Sequence, residues 1–262
     1  MNYASDFDPS NLLISSKWLL GESFFTSFRS NSLKVVGFDE HMARLRFSLK
    51  SFYQLDDLDL VDLREFLEQS LPKSEDIKVR IEFFRPNIEN WPKILSNLSC
   101  LVQISEYKKC SEVRLSAEVF KAEYCEISKI KSSNYMRATF LKNQLQSDYL
   151  IKEDSKVVDA SSSSFIILKN TRILVPILGS GLESITLKLL IKSFNDHQIN
   201  FMMSEISEND LSDSSEIILL NSVRGVIACT HFGDKKLLDW QKKDSLTSQC
   251  KKLYEDLFRE LK

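Results

Sequence analysis

Lys131-Ser132-Ser133-Asn134-Tyr135 leads into a helical run over 133–147, and the reading of this chain turns on that stretch. A lysine at a helix entry stands against the positive end of the helix dipole. The same placement lowers the pKa of its amine, which a lysine needs if it is to serve as nucleophile or base near neutral pH. The competing reading is a solvated surface lysine, one of 35 basic residues. Lys129, two positions upstream, is the alternative amine. Met136, Phe140 and Leu141 supply apolar positions for packing of the helix.

Downstream, 157–158 and 165–168 read as strands, and Ser161-Ser162-Ser163-Ser164 joins them as a tight polar loop. Asp159 ends the first strand, where an acid often serves only to turn the chain. Gly179-Ser180-Gly181 then feeds a helix over 184–194. A glycine-containing loop entering a helix presents free N–H groups and a positive dipole end, which together make a seat for phosphate. Ser184 and Thr186 at that point are equally suited to capping the helix. The strands at 217–220 and 226–229 flank Asn221-Ser222, and 246–261 reads as a closing amphipathic helix.

Upstream, 23–29 is an aromatic strand, and Asn31-Ser32 predicts a hairpin turn into a strand over 33–36. Asp39-Glu40 opens a helix whose Met42, Leu45, Leu49 and Phe52 share one face. A second amphipathic segment spans 58–71, and strands follow at 77–84 and 98–105. The polar stretch 106–112 divides the chain near residue 110, giving a smaller unit over 1–110 and a larger one over 111–262. Strands and helices mixed in both halves predict an α/β or α+β protein.

Composition narrows the function. The 262 residues carry a formal charge of −2, so nothing draws the whole molecule toward nucleic acid or an anionic membrane. No apolar run approaches the ~18 residues of a membrane span. Residues 1–6 lack a basic region and an apolar stretch, so no secretory signal is expected. The five cysteines are scattered without a CxxC pair, and the three histidines lie far apart. Neither a disulfide framework nor a metal site is expected, and a cytoplasmic location is. Rossmann, P-loop and nucleophile-elbow signatures are missing.

Several segments, taken in order, resemble the class IV (fold type IV) pyridoxal-phosphate enzymes. Gly21 to Arg29 looks like that family's G-x-G-x-F-x-T-x-R strand, and His41-Met42-Ala43-Arg44-Leu45 its H-x-x-R-L helix. Lys131 to Tyr135 resembles K-x-x-N-Y, and Asp159 to Phe165 its acid-bearing loop. Leu182 to Leu187 is similar to L-x-G-I-T-R, and Ser215 to Val226 to the A-D-E segment that ends in N-S-x-x-G. The chain departs at Asp159 (glutamate in the family), Ser164 (asparagine), Val175 (threonine), Ser184 (glycine) and Leu187 (arginine).

The resemblance implies a two-domain fold, a small N-terminal α/β domain and a larger C-terminal one with a barrel-like sheet, with pyridoxal 5'-phosphate as cofactor. Lys131 would tether it and carry protons. Arg44, Ile185, Thr186 and Ser222 would hold its phosphate, Tyr135 its phenolic oxygen, and Asp159 its ring nitrogen. The nearest likeness is to aminodeoxychorismate lyase, which releases pyruvate and 4-aminobenzoate in folate biosynthesis. It rests on Phe25-Thr26-Ser27-Phe28-Arg29 and on Asn221-Ser222-Val223-Arg224-Gly225. An aminotransferase of branched-chain or D-amino acids, converting amino acid and 2-oxo acid, is the first alternative. A diverged non-catalytic member is the second. A homodimer is expected from the family.

Overall fold

The computed structural model describes residues 15–54, 61–73, 76–86, 98–121, 129–177 and 181–260. The chain forms two compact units, one of residues 1–107 with 130–135, the other of 108–129 with 136–262. Lys131 and Tyr135 therefore belong to the first unit although the chain has already entered the second.

The first unit contains α1 (Ser16–Leu20), β1 (Phe24–Asn31), α2 (Phe38–Tyr53), α3 (Val61–Ser70), β2 (Asp76–Phe84) and β3 (Ser99–Glu106). The strands form an antiparallel sheet in the order β1-β2-β3. Strand periodicity sorts β2: Ile77, Val79, Ile81 and Phe83 enter the core, while Lys78, Arg80 and Glu82 take the opposite face. Glu82 is nonetheless only 1% exposed on that polar face, so its carboxylate requires donors. Helix α2 lays Met42, Leu45 and Leu49 into the same core as Phe24 and Phe28 of β1.

Two sequence expectations differ here. Residues 33–36 form no strand; Asn31 and Lys34 bridge around Ser32 and Leu33, both at positive φ, and the chain passes directly into α2. Gly37, at φ 70, makes the N-cap turn that a side chain resists, and its carbonyl accepts from the His41 N–H at 2.9 Å. Phe52 is 39% exposed, and Tyr53 occupies the buried position instead. Of the segment expected over 58–71, residues 61–70 are helical, and 58–60 lie outside the described residues.

The second unit carries β4 (Glu112–Lys121), α4 (Met136–Leu145), β5 (Asp148–Glu153), β6 (Lys156–Ala160), β7 (Ser164–Lys169), β8 (Arg172–Pro176), α5 (Ile185–Asp196), β9 (Phe201–Ser204), α6 (Glu208–Asp213), β10 (Glu216–Asn221), β11 (Gly225–Phe232), β12 (Lys235–Lys236) and α7 (Leu246–Glu260). The main sheet runs β6-β5-β4-β11-β10-β7-β8-β9, with β12 paired to β11. The pairs β4–β11, β4–β5 and β8–β9 are parallel, and the rest antiparallel. Its two ends meet: Ile206, just past β9, bridges Val157 of β6, and the Val157 N–H donates to the Ile206 carbonyl at 2.7 Å. That contact curls the sheet into the expected barrel-like form. Phe165, Ile167, Ile217, Leu219 and Ile227 fill its core.

Helix α4 starts at Met136 rather than Ser133 and buries none of its residues. Met136 (83% exposed) and Phe140 (60%) face outward, contrary to the packing role expected from the sequence. Their i, i+4 spacing does put them on one face, but that face is the outer one.

Helix α7 begins on a buried acid. Glu216 of β10 accepts the Leu246 and Thr247 N–H groups, both at 2.9 Å, and the Thr247 hydroxyl at 2.7 Å. Helix starts leave N–H groups unpaired, and an anion there is favoured by the dipole. Glu216→Ala removes the acceptors of all three hydrogen bonds at a buried place. Chemical denaturation should show a loss of about 2 kcal/mol or more.

Candidate active site

The seven site residues expected from the sequence fall into two sets. Arg44, Lys131 and Tyr135 belong to the first unit; Asp159, Ile185, Thr186 and Ser222 belong to the second.

In the first unit, the lysine segment is added to the free edge of β1. The Phe25 N–H donates to the Lys131 carbonyl at 2.9 Å, the Ser133 N–H donates to the Ser23 carbonyl at 3.0 Å, and Phe24 bridges Ser132. Backbone pairing thus fixes Lys131 as one more strand residue would be fixed. Its half-buried amine lies 3.2 Å from the Tyr135 hydroxyl and 5.0 Å from the centre of the Phe25 ring. The aromatic neighbours shield one side of the amine, and the phenol gives it a hydrogen-bonding partner.

Glu82 stands behind this segment. Its Oε1 accepts the Ser133 hydroxyl at 2.6 Å and the Ser23 hydroxyl at 2.5 Å; Oε2 accepts Lys17 at 2.9 Å and Arg80 Nε at 3.1 Å. Arg80 Nη2 also donates to Ser133 Oγ at 2.7 Å, and its guanidinium lies 3.5 Å from the Phe25 ring centre. Burial opposes the charge on Glu82, but the hydrogen bonds from Arg80, Ser133, Ser23 and Lys17 outweigh it and hold the pKa at about 2. Glu82 and Ser133 were not among the expected site residues. The signal that could have pointed to Glu82 was an acid at an even position of a strand otherwise patterned for a core.

Arg44, on α2, reaches the next residue of β1. Its Nη2 donates to Thr26 Oγ1 at 3.0 Å, and Thr26 Oγ1 is 2.6 Å from Nδ1 of the fully buried His41. Burial, then the Arg44 and Lys131 charges, keep the His41 pKa well below the usual histidine range. The imidazole is therefore neutral, and its Nε2 has no hydrogen-bond partner among the described residues.

In the second unit, α5 presents its N-terminus with Ile185 and Thr186 buried in the first turn. Ser184 caps it, accepting the Leu187 N–H at 3.3 Å, and receives the Ser164 hydroxyl at 2.8 Å. Thr186 Oγ1 lies 3.1 Å from Ser222 Oγ, so the helix start and the turn after β10 meet. Asn221 shapes that turn: its Oδ1 accepts the N–H groups of Val223 at 2.9 Å and Arg224 at 3.1 Å. Of the glycine loop before α5, 179–180 lie outside the described residues. Asp159 is half-buried on β6, paired in register with Ile151.

The serine loop after Asp159 is held by charge. Asp148 accepts the Ser161 hydroxyl at 2.7 Å and pairs with Lys142 and Arg224; Arg224 donates to Ser163 at 3.2 Å, and Lys142 to Ser162 at 3.0 Å.

The first unit offers a shielded amine beside a phenol, and the second a helix N-terminus lined with hydroxyls. A family model described as amino-transferase class IV matches residues 23–232, a span that takes in every one of these groups. The chain belongs to the class IV aminotransferase family. Its fold matches solved members. A branched-chain aminotransferase from the archaeon Thermoproteus uzoniensis, solved with norvaline, superposes with a TM-score of 0.80 at 17% identity, over 95% of this chain and 90% of the other. An aminotransferase from Brucella abortus bound to the cofactor PLP gives 0.80 at 16%, over 94% and 92%. A Legionella pneumophila protein provisionally assigned as a 4-amino-4-deoxychorismate lyase gives 0.73 at 18%, over 85% and 87%. At these identities the likeness is one of fold. No curated protein matches the chain in sequence. No helix among the described residues is long and apolar enough to cross a membrane.

His41 sets a pH dependence. Its folded pKa is depressed, so the unfolded chain binds the extra proton, and stability present above about pH 6.5 is lost as the pH falls below it. Between pH 6 and 5 the wild type should lose up to about 1.4 kcal/mol per pH unit more than His41→Leu. Urea denaturation at several pH values measures the difference.

Proposed function

We propose that this class IV aminotransferase homologue binds pyridoxal 5'-phosphate through Lys131 and acts as a 4-amino-4-deoxychorismate lyase. The observation that carries the cofactor assignment is the Lys131 amine, pinned by its own carbonyl to β1 and set 3.2 Å from the Tyr135 hydroxyl. The donor set suits the group: an amine for its aldehyde, a phenol for its ring oxygen, an acid for its ring nitrogen and an anion seat for its phosphate.

Lys131 Nζ would hold the aldehyde carbon, and Tyr135 would donate to the neighbouring phenolic oxygen. The N–H groups of Ile185 and Thr186, the hydroxyls of Thr186 and Ser222, and Arg44 would bind the phosphate. Asp159 would face the ring nitrogen as an anion and keep a proton on it. The bound cofactor supplies an electron-accepting ring that stabilises negative charge developing on the substrate carbon. Lys131 Nζ would also be the base that takes the substrate's ring proton. The Phe25 and Tyr135 rings beside it limit water at that nitrogen. The ring C–O bond to the enolpyruvyl group would break, the protonated Lys131 would return the proton to that group's methylene carbon to give pyruvate, and the ring would become aromatic 4-aminobenzoate.

The lyase assignment draws on the 25–29 and 221–225 segments, whose Thr26 engages Arg44 and whose Ser222 meets Thr186. The second reading is a transaminase of small amino acids, favoured by the higher TM-score of the norvaline-bound branched-chain enzyme. The two separate cleanly. The lyase releases pyruvate from aminodeoxychorismate; the transaminase loses its long-wavelength absorbance on addition of an amino acid alone. A protein that stays colourless with added pyridoxal phosphate points instead to a non-catalytic member. A small-molecule substrate and a homodimer are part of this proposal, as is a cytoplasmic location.

Lys131→Ala should abolish borohydride trapping of the cofactor and lower turnover by about 10³-fold or more, with the circular dichroism of the wild type. Trapping mapped instead to Lys129 would move the assignment to that residue.

A further inference from the structure

We infer that Glu82 is a positioning residue for Lys131, acting through the hydroxyl of Ser133. The inference rests on the reading of Lys131 as the working amine, and the geometry behind it is independent of any ligand.

The segment 130–135 lies outside regular strands and helices, apart from the single bridge at Ser132. Its placement depends on what ties it down. Two backbone bonds flank that bridge, one at Lys131 and one at Ser133. Glu82 Oε1 ties the side chains of the second bond's own residues: Ser133 donates to it on one side and Ser23 on the other. One carboxylate oxygen thus clamps the lysine segment and the strand entry together. The other oxygen is held by Lys17 and Arg80, so the carboxylate cannot turn away without leaving two cations unanswered.

Ionisation matters to this clamp. A carboxylate is acceptor-only, so both serine hydroxyls must donate toward it. Ser133 Oγ then keeps its lone pairs for the Arg80 N–H. An amide in place of the acid offers a single acceptor atom and brings two donors of its own. The chain of bonds from Arg80 through Ser133 to Glu82 is then broken at one end.

The test uses site-resolved acetylation of the cofactor-free protein, read by mass spectrometry. Exposed Lys129, two residues away, is the internal standard. Ser133→Ala and Glu82→Gln should raise the Lys131 rate by at least about five-fold, the equivalent of one hydrogen bond, with Lys129 unchanged. Ser133→Thr, which keeps the hydroxyl, should retain the wild-type rate. An unchanged Lys131 rate in Ser133→Ala overturns the inference. So does a rise shared equally by Lys129, which reports general loosening, or a failure of threonine to rescue. Should Glu82→Gln not fold, the alanine and threonine pair at 133 decides alone. Titration with pyridoxal phosphate followed by borohydride runs in parallel. Wild type that traps no cofactor overturns the proposed function, while the acetylation rates still decide the role of Glu82.

Discussion

Two backbone hydrogen bonds, Phe25 to Lys131 and Ser133 to Ser23, attach a short unstructured segment to the edge of a sheet. The roles proposed for Lys131 and Tyr135 depend on them. They turn a lysine on a loop into a lysine on a strand edge, with its carbon stem fixed at the root. The aromatic ring of Phe25 and the phenol of Tyr135 then restrict where the amine can go. The carboxylate of Glu82 reinforces the attachment from behind, at the cost of burying a charge that four donors must satisfy. An edge strand is usually a liability, open to pairing with another chain. Here part of that edge holds the lysine segment.

The two units were legible in the sequence to different depths. Strands such as 77–84, 165–168 and 217–220 announce themselves through apolar runs and alternation, because their burial follows local pattern. Helices α2 and α5 were marked by acid in the first turn or by a cap. What failed were features whose cause lies elsewhere in the chain. The strand expected over 33–36 has β-forming residues, but Ser32 and Leu33 turn at positive φ and the chain enters α2 after a single Asn31–Lys34 bridge, before a ladder can form. The outward face of Met136 and Phe140 is indistinguishable from a core stripe by spacing alone. Short strands such as β8 and β9 carry too few residues to show a period.

The site followed the same division. Lys131, Tyr135, Thr186 and Ser222 could be named as candidates because ordered motifs carried them. Glu82 escaped because its role arises from pairing across the sheet: it faces Phe25 in register, and its serine partners lie 59 and 51 positions away along the chain. Two of the departures from the family pattern are explained by each other. Ser164 and Ser184 stand where asparagine and glycine are usual, and their hydroxyls are joined to one another while Ser184 caps α5. A pair of small hydroxyl residues thereby ties the start of β7 to the entry of the helix.

The return of 130–135 to the first unit has a consequence for biosynthesis. The N-terminal sheet can assemble once β3 has been made, but the rim of β1 remains bare until the polypeptide has run out through β4 and come back. The Lys131 amine is thus placed late, onto a scaffold that already exists. Any nascent product cut short before residue 130 would carry an uncovered β1 margin, open to pairing with another chain.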